Sequence, residues 1–149
     1  MPKKKKQKIA SQVAALPIRT GIDGKPQIIL VTSRETGRWV IPKGWPMRNR
    51  KDHAAAAIEA YEEAGVVGKP DKKPLGTFDY TKVMPKGRDD VPCRVSVYLL
   101  NVDKLLPKWP ESKERLRDFC SPVEAAERVD EPELKAIILE IDDAYKLTG

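Results

Sequence analysis

The stretch from Gly44 to Val66, GWPMRNRKDHAAAAIEAYEEAGV, limits the architectures open to this chain more than any other. A Gly-containing loop runs into an Ala-rich helix, and the residue types at its ends predict a start at Asp52 and a stop at Gly65. Within that helix Glu59, Glu62 and Glu63 fall at i, i+3 and i+4, so all three carboxylates leave one face. Like charges at that spacing repel. A hard divalent cation removes the repulsion, and oxygen donors of this kind suit Mg²⁺ or Mn²⁺, ions that commonly bridge substrate phosphates.

The same stretch resembles the box of the Nudix hydrolases, G-x5-E-x7-R-E-U-x-E-E-x-G-U, with U a bulky aliphatic residue. Gly44, Glu59, Glu62, Glu63, Gly65 and Val66 match it. Arg50 stands where the box has its first Glu, Ile58 where it has Arg, and Ala60 at its first aliphatic position. The metal-binding carboxylates are therefore kept, while the Glu and Arg that help to orient them are replaced. TSRETGRWVIPKG ahead of the box and RLRDFCSPVEAA after it are similar to the diphosphoinositol polyphosphate phosphohydrolase branch, and the likeness spans residues 11–140.

This resemblance implies a Nudix-type α/β/α sandwich with a mixed sheet in a single domain of class α/β; the pattern of elements alone gives only a mixed sheet with helices. It further implies that Glu59 and Glu63 hold the metal and carry catalysis, aided by Glu62 and the Gly44 carbonyl. The base is Glu63 or a loop carboxylate such as Asp89 or Asp90. Arg94 matches an Arg that contacts substrate phosphates in the branch, and Arg117 matches another; Asp118, Phe119 and Cys120 replace the branch's Glu-Trp-Phe.

At 149 residues with 40% hydrophobic content, the chain is expected to form one domain with a genuine core, residues 11–149, behind a basic arm at 1–10. The net charge of +6 favours an anionic partner, and Lys3, Lys4, Lys5, Lys6 and Lys8 of the arm supply much of it. No apolar run approaches the ~18 residues of a membrane span, and the N-terminus lacks the apolar core of a secretion signal, so a cytoplasmic location is expected. Cys93 and Cys120 lack C-x-x-C spacing and read as reduced thiols in or near strands. His53, the single histidine, reads as a surface residue.

Along the chain, Gln12 to Arg19 is an apolar run that Pro17 assigns to a sheet edge or bulge. A Gly/Asp/Pro turn returns it into Gln27 to Ser33, a buried strand, completing a hairpin. Trp39 to Pro42 is a short strand leading into the box loop, where Lys43, Arg48, Arg50 and Lys51 crowd the acidic helix; these are either a solvated face or cations that capture phosphate. Trp45 and Met47 either line that pocket or pack the core. Lys69 to Pro74 is expected to be a turn, Leu75 to Val83 and Cys93 to Val102 strands, Lys104 to Glu114 a loop, and Arg115 to Cys120 the last strand. Ser121-Pro122-Val123-Glu124 is a capping box that starts a short helix, and Asp130 to Glu133 starts a terminal helix with Leu134, Ile137, Ile138, Ile141 and Tyr145 as its apolar stripe.

The function expected from these residues is metal-dependent hydrolysis of a phosphoanhydride bond in a polyphosphorylated small molecule, a dinucleoside polyphosphate or a diphosphoinositol polyphosphate. Lys43, Arg50, Arg94 and Arg117 are the expected substrate contacts. Two alternatives remain open: a catalytically weakened relative that senses phosphate ligands, suggested by Arg50 and Ile58, and an RNA-associated protein using the Lys arm, although a nucleic-acid partner is not the expectation.

Overall fold

A computed structural model describes residues 8–148; Lys3, Lys4, Lys5 and Lys6 of the expected arm lie outside them. Alternation along two strands explains the layers. β1 (Ala10–Thr20) and β2 (Pro26–Thr32) are buried through most of their length because helices cover the sheet on both faces. Val13 and Ala15 of β1, with Ile29 and Val31 of β2, point into one core, shared with Ala55, Ala56, Ala60 and Ala64 of α1 (Asp52–Ala64). Ala14, Leu16 and Ile18, with Ile28 and Leu30, point into the other, closed by α2 (Pro122–Arg128) and α3 (Pro132–Thr148). The result is a three-layer α/β/α sandwich, as the resemblance implies.

The remaining strands are β3 (Trp39–Val40), β4 (Lys43–Gly44), β5 (Val66–Pro70), β6 (Gly76–Lys82), β7 (Val91–Leu105) and β8 (Arg117–Cys120). β1 lies parallel to β7 from Ala10↔Cys93 to Ile18↔Asn101, while its partners β2 and β4 are antiparallel, so the sheet is mixed. β7 also pairs with β6 and, beyond it, with β5; β8 pairs with β2.

Several local expectations are corrected. Pro17 is buried in the central strand rather than at an edge; it falls between the β1 residues that pair with β4, Val13 and Ala14, and those that pair with β2, Ile18 to Thr20, where the antiparallel ladder is interrupted and a missing N–H does no harm. Lys69 and Pro70 belong to β5, not to a turn. β5 ends the path of the sheet, and an edge position tolerates a proline. β7 runs past Val102 to Leu105, taking Lys104 out of the expected loop. Asp52 is the first helical residue of α1 rather than its cap: Lys51 occupies the cap position with no side-chain bond, and Asp52 instead sets its charge against the positive helix end. His53 is half-buried, its ring 6.4 Å from that of Tyr98.

Other expectations hold. Gly65 closes α1 in the left-handed conformation at φ 64°, and Ser121 caps α2 by accepting from the Glu124 N–H. Leu134, Ile137, Ile138 and Ile141 face the core from α3; the side chain of Tyr145 lies outside the described part. Both cysteines are buried free thiols.

Candidate active site

β1 and β2 pair only near the Thr20 end of β1, and beyond Ile28 they part company. The segment from Trp39 to Gly44 fills the gap. Val40 pairs with Val31 of β2, Gly44 pairs with Val13 of β1, and the Ala15 N–H donates to the Pro42 carbonyl at 3.0 Å. Lys43 and Gly44 are thereby fixed at the floor of a cleft of about 300 Å³ whose wall is α1. Small residues on the sheet side of that helix, Ala56, Ala60 and Ala64 among them, let it sit close, which brings Glu59, Glu62 and Glu63 over the loop. The Ala60 departure from the box is thus part of the packing. Gly44 has a steric role: a Cβ there would overlap the Glu59 carboxylate.

The C-terminal end of α1 is held by one segment, Leu106 to Arg117. A helix leaves its last carbonyls without partners. Here the carbonyl of Glu62 accepts from the Glu111 N–H at 3.0 Å and that of Gly65 from the Leu106 N–H at 2.8 Å. Glu63 O accepts from Trp109 Nε1 at 2.9 Å, and Ala64 O from Arg117 Nη1 at 2.8 Å. Arg117 also lies 4.2 Å over the Trp109 ring. Backbone at Glu62 and Glu63 is therefore anchored from outside the helix.

Charge in the cleft is dense. Glu63 is 5% exposed, and its carboxyl is pushed up to about 8, chiefly by burial and further by its hydrogen bond and repulsion with Glu59; Arg115 and Lys43 oppose the shift. Burial also raises Glu59, with repulsion from Glu62 and Glu111 added. Burial and mutual repulsion thus favour a proton on Glu63, hydrogen-bonded with Glu59. Lys43 is pushed down by burial, against the pull of Glu63, and its Nζ lies 5.0 Å from the Tyr80 ring centre.

Lys43, Gly44, Glu59, Glu62 and Glu63, all expected from the sequence, do line one cleft. Arg50, Arg94 and Arg117 do not. Arg50 is exposed ahead of α1. Arg94 is exposed on β7 and forks onto Asp79 of β6 at 2.9 and 3.1 Å. Arg117 faces the end of α1, its Nη1 donating to Ala64 O and to Leu106 O at 3.0 Å. Of the suggested loop bases, Asp90 accepts from the Met84 N–H at 3.0 Å, and neither it nor Asp89 lines the cleft. Trp45, half-exposed, lines the cleft, whereas Met47 packs against the core.

Sequence reasoning missed Arg34, Lys82, Glu111 and Arg115, which also line the cleft. Arg115 stands out because its side chain is only 9% exposed. Its Nη1 donates to Thr32 O at 3.0 Å, its Nε to Glu111 at 3.0 Å, and its Nη2 stands 3.6 Å from Glu63 Oε1. The available signal was the unbalanced carboxylate cluster, which calls for a cation once Ile58 removes the one in the box.

Among the described residues no three His, Cys, Asp or Glu side chains stand together as a ready-made metal cluster. What the cleft offers is a pair of hard oxygen donors, Glu59 and Glu63, with Glu62 and the Gly44 backbone on the same wall and floor. That donor set fits Mg²⁺ or Mn²⁺, which bind through one or two carboxylates and complete their shells with water and substrate oxygens.

No protein-family model matches the chain. It is 32% identical over 112 residues to Nudix hydrolase 12, mitochondrial, from Arabidopsis thaliana, covering 72% of this chain and 55% of that protein. It is 37% identical over 87 residues to human diphosphoinositol polyphosphate phosphohydrolase 3-alpha, covering 58% of this chain and 48% of the relative. The chain thus spans about half the length of these curated relatives. In fold it is similar to a C. elegans Ap4A hydrolase, with a TM-score of 0.63 at 17% identity over 91% of this chain and 98% of the other. The box residues at 44, 59, 62, 63, 65 and 66, the sequence likeness and the shared sandwich lead to one conclusion: the chain is similar to the Nudix hydrolases in sequence and in fold.

Proposed function

We propose that the chain is a metal-dependent hydrolase that cleaves a phosphoanhydride bond in a small molecule carrying several phosphates. The observation that carries this reading is the Glu59–Glu63 carboxyl pair, seated against Gly44 at the floor of a cleft of mixed charge. Glu35, Glu59, Glu62, Glu63 and Glu111 line that cleft against Arg34, Lys43, Lys82 and Arg115. Each loss of a proton from the buried Glu59–Glu63 pair adds negative charge beside these cations, so a divalent cation bound there would help an anionic substrate to enter.

Glu59 and Glu63 would hold the metal, with Glu62 and the Gly44 carbonyl beside them. When bound, Mg²⁺ or Mn²⁺ supplies an acidified water and neutralises phosphate charge. The chain's own residues do the rest. The proton that burial favours on Glu63 would be displaced by a metal held by Glu59 and Glu63, and the Glu63 carboxylate would then be able to accept one. Lys43, Lys82 and Arg34 steer the outer phosphates, and Trp45 offers an aromatic plate at the cleft wall for a nucleobase. That plate supports a dinucleoside polyphosphate ahead of a diphosphoinositol polyphosphate. The name of the human relative supports the latter, which makes both necessary members of a substrate panel.

Phosphate release from dinucleoside polyphosphates, nucleoside triphosphates and diphosphoinositol polyphosphates, with and without Mg²⁺, tests the reading. Release that depends on the metal and on Glu63 is expected. Tight binding of these ligands without release would instead support the sensor reading that Arg50 and Ile58 motivate. No helix among the described residues is long and apolar enough to cross a membrane. A cytoplasmic location goes with the proposed substrate, and fractionation of cells expressing the tagged chain checks it.

A further inference from the structure

We infer that Arg115 is the positioning residue of the carboxylate pair, delivered from the far end of the chain to do the work for which the family box keeps an arginine on the helix. The inference rests on the assignment of Glu59 and Glu63 proposed above. Position 58 of α1 holds Ile, so no guanidinium is available from the helix itself. The cleft nonetheless contains a buried one. Arg115 reaches Glu63 Oε1 at 3.6 Å with Nη2, while two other contacts fix its plane: Nη1 on the Thr32 carbonyl at 3.0 Å and Nε on Glu111 Oε1 at 3.0 Å. Thr32 ends β2, so the guanidinium is tied to the sheet as well as to the helix.

The segment that carries it is not a free loop. Leu106, Trp109, Glu111 and Arg117 bond the carbonyls of Gly65, Glu63, Glu62 and Ala64 in turn, so the distance between Arg115 and the carboxylates is set at both ends. Glu111 supports the arrangement twice, through its N–H on Glu62 O and its carboxylate on Arg115 at 3.0 Å. Glu111 Oε1 takes both Nε and Nη2 at 3.0 Å, and this fork, with Nη1 on Thr32, holds the guanidinium plane so that Nη2 also stands within ion-pair distance of Glu63. Side chains that orient a metal ligand in this way typically change metal affinity or activity about 10–100-fold when removed.

The test compares the full chain with Arg115→Gln, Arg115→Lys, and Arg115→Gln combined with Ile58→Arg. The readouts are Mn²⁺ affinity by calorimetry without substrate, and kcat and KM on diadenosine tetraphosphate at saturating Mg²⁺. Arg115→Gln should weaken Mn²⁺ binding by about tenfold and lower kcat by about 10–100-fold, with KM within about threefold of the parent. Arg115→Lys should fall between the two. Adding Ile58→Arg, which places a guanidinium one turn from Glu62 on the same helix, should recover part of both losses. Glu111→Gln leaves the Thr32 contact in place and should show the same split, to a smaller extent, should Arg115→Gln fail to fold.

Unchanged Mn²⁺ affinity in a folded Arg115→Gln protein overturns the inference, as does a loss confined to KM, which would make Arg115 a substrate contact. A double variant no better than Arg115→Gln alone overturns the claim that the guanidinium replaces the missing helical one. Glu63→Gln separates this from the parent reading: if it keeps full Mn²⁺ binding and turnover, the site assignment fails, whereas if it loses both while Arg115→Gln loses neither, only the role of Arg115 fails.

Discussion

The carboxylate of Glu59 lies so close to Gly44 that Cδ and both oxygens would overlap a Cβ on that residue. The obstruction is the far end of a flexible side chain, so Gly44→Ala displaces Glu59 rather than the backbone. A shifted rotamer costs about 0.5–1.5 kcal/mol. Stability should therefore change little, while divalent-metal affinity drops by about tenfold or more because one of the two paired donors has moved. Denaturant midpoints and Mn²⁺ calorimetry on the same samples check the split. A variant that binds Mn²⁺ as the parent does would show that the loop leaves Glu59 unconstrained.

Glu63 links the site to pH. Its carboxyl rises from an ordinary 4.5 to about 8 in the folded metal-free chain, mainly through burial. Between those values the folded state binds more protons than the unfolded one, so stability falls as pH rises through that window and is fully present below it. The melting temperature of the metal-free protein should decline from pH 5 to pH 9, and Mg²⁺ should offset the decline by replacing the proton. In Glu63→Gln the decline should be smaller, since the amide mimics the protonated acid, and turnover should be abolished. Melting curves over that range, with and without Mg²⁺, decide the matter; parallel curves for the two proteins would remove Glu63 as the group responsible.

The helix, its Gly65 stop, the shared face of Glu59, Glu62 and Glu63, and the buried strand at Ile28 to Val31 were legible because each is a local pattern. Periodicity places carboxylates on a face, and an uninterrupted apolar run such as Ile28 to Val31 declares burial on both sides. What could not be read is tertiary. Lys69 and Pro70 look like a turn by composition, and only their place at the end of the sheet makes them a strand. Arg115 and Arg117 are two residues apart in one segment; the sequence pointed to Arg117, but the packing of Trp109 against Arg117 turns that side chain to the end of α1 and leaves Arg115 to enter the cleft. The choice between them depends on the path of the Leu106–Arg117 segment, which no local pattern encodes.

Arg117→Ala should act on stability. It removes the donor to the Ala64 and Leu106 carbonyls and the partner stacked on Trp109, and leaving partly buried carbonyls unsatisfied costs about 1–3 kcal/mol. Arg94→Ala should leave stability close to that of the parent, because its pair with Asp79 is exposed to solvent and screened. Chemical denaturation of both variants measures this, and KM on a five- or six-phosphate substrate should stay within about threefold of the parent for each. A steep rise in KM with stability intact would return these arginines to the substrate.

Substrate length should instead be sensed by Lys43 and Lys82. Both face the cleft that holds the carboxylates, and both also border the neighbouring hollow formed with Val83, Met84 and Pro85, so a chain of phosphates leaving the carboxylate pair would pass between them. Lys43 is the more constrained of the two, since burial disfavours its charge and Glu63 offsets that only in part. Removing it should disturb the site for every substrate. Lys82→Ala makes the cleaner probe. It should raise KM for diadenosine penta- or hexaphosphate by about tenfold, the equivalent of one lost charge-assisted contact of about 1.5 kcal/mol, and raise it far less for a simple nucleoside diphosphate derivative. Equal increases on long and short substrates would mean that Lys82 holds the phosphates common to both, and the hollow beyond it would then have no part in choosing the substrate.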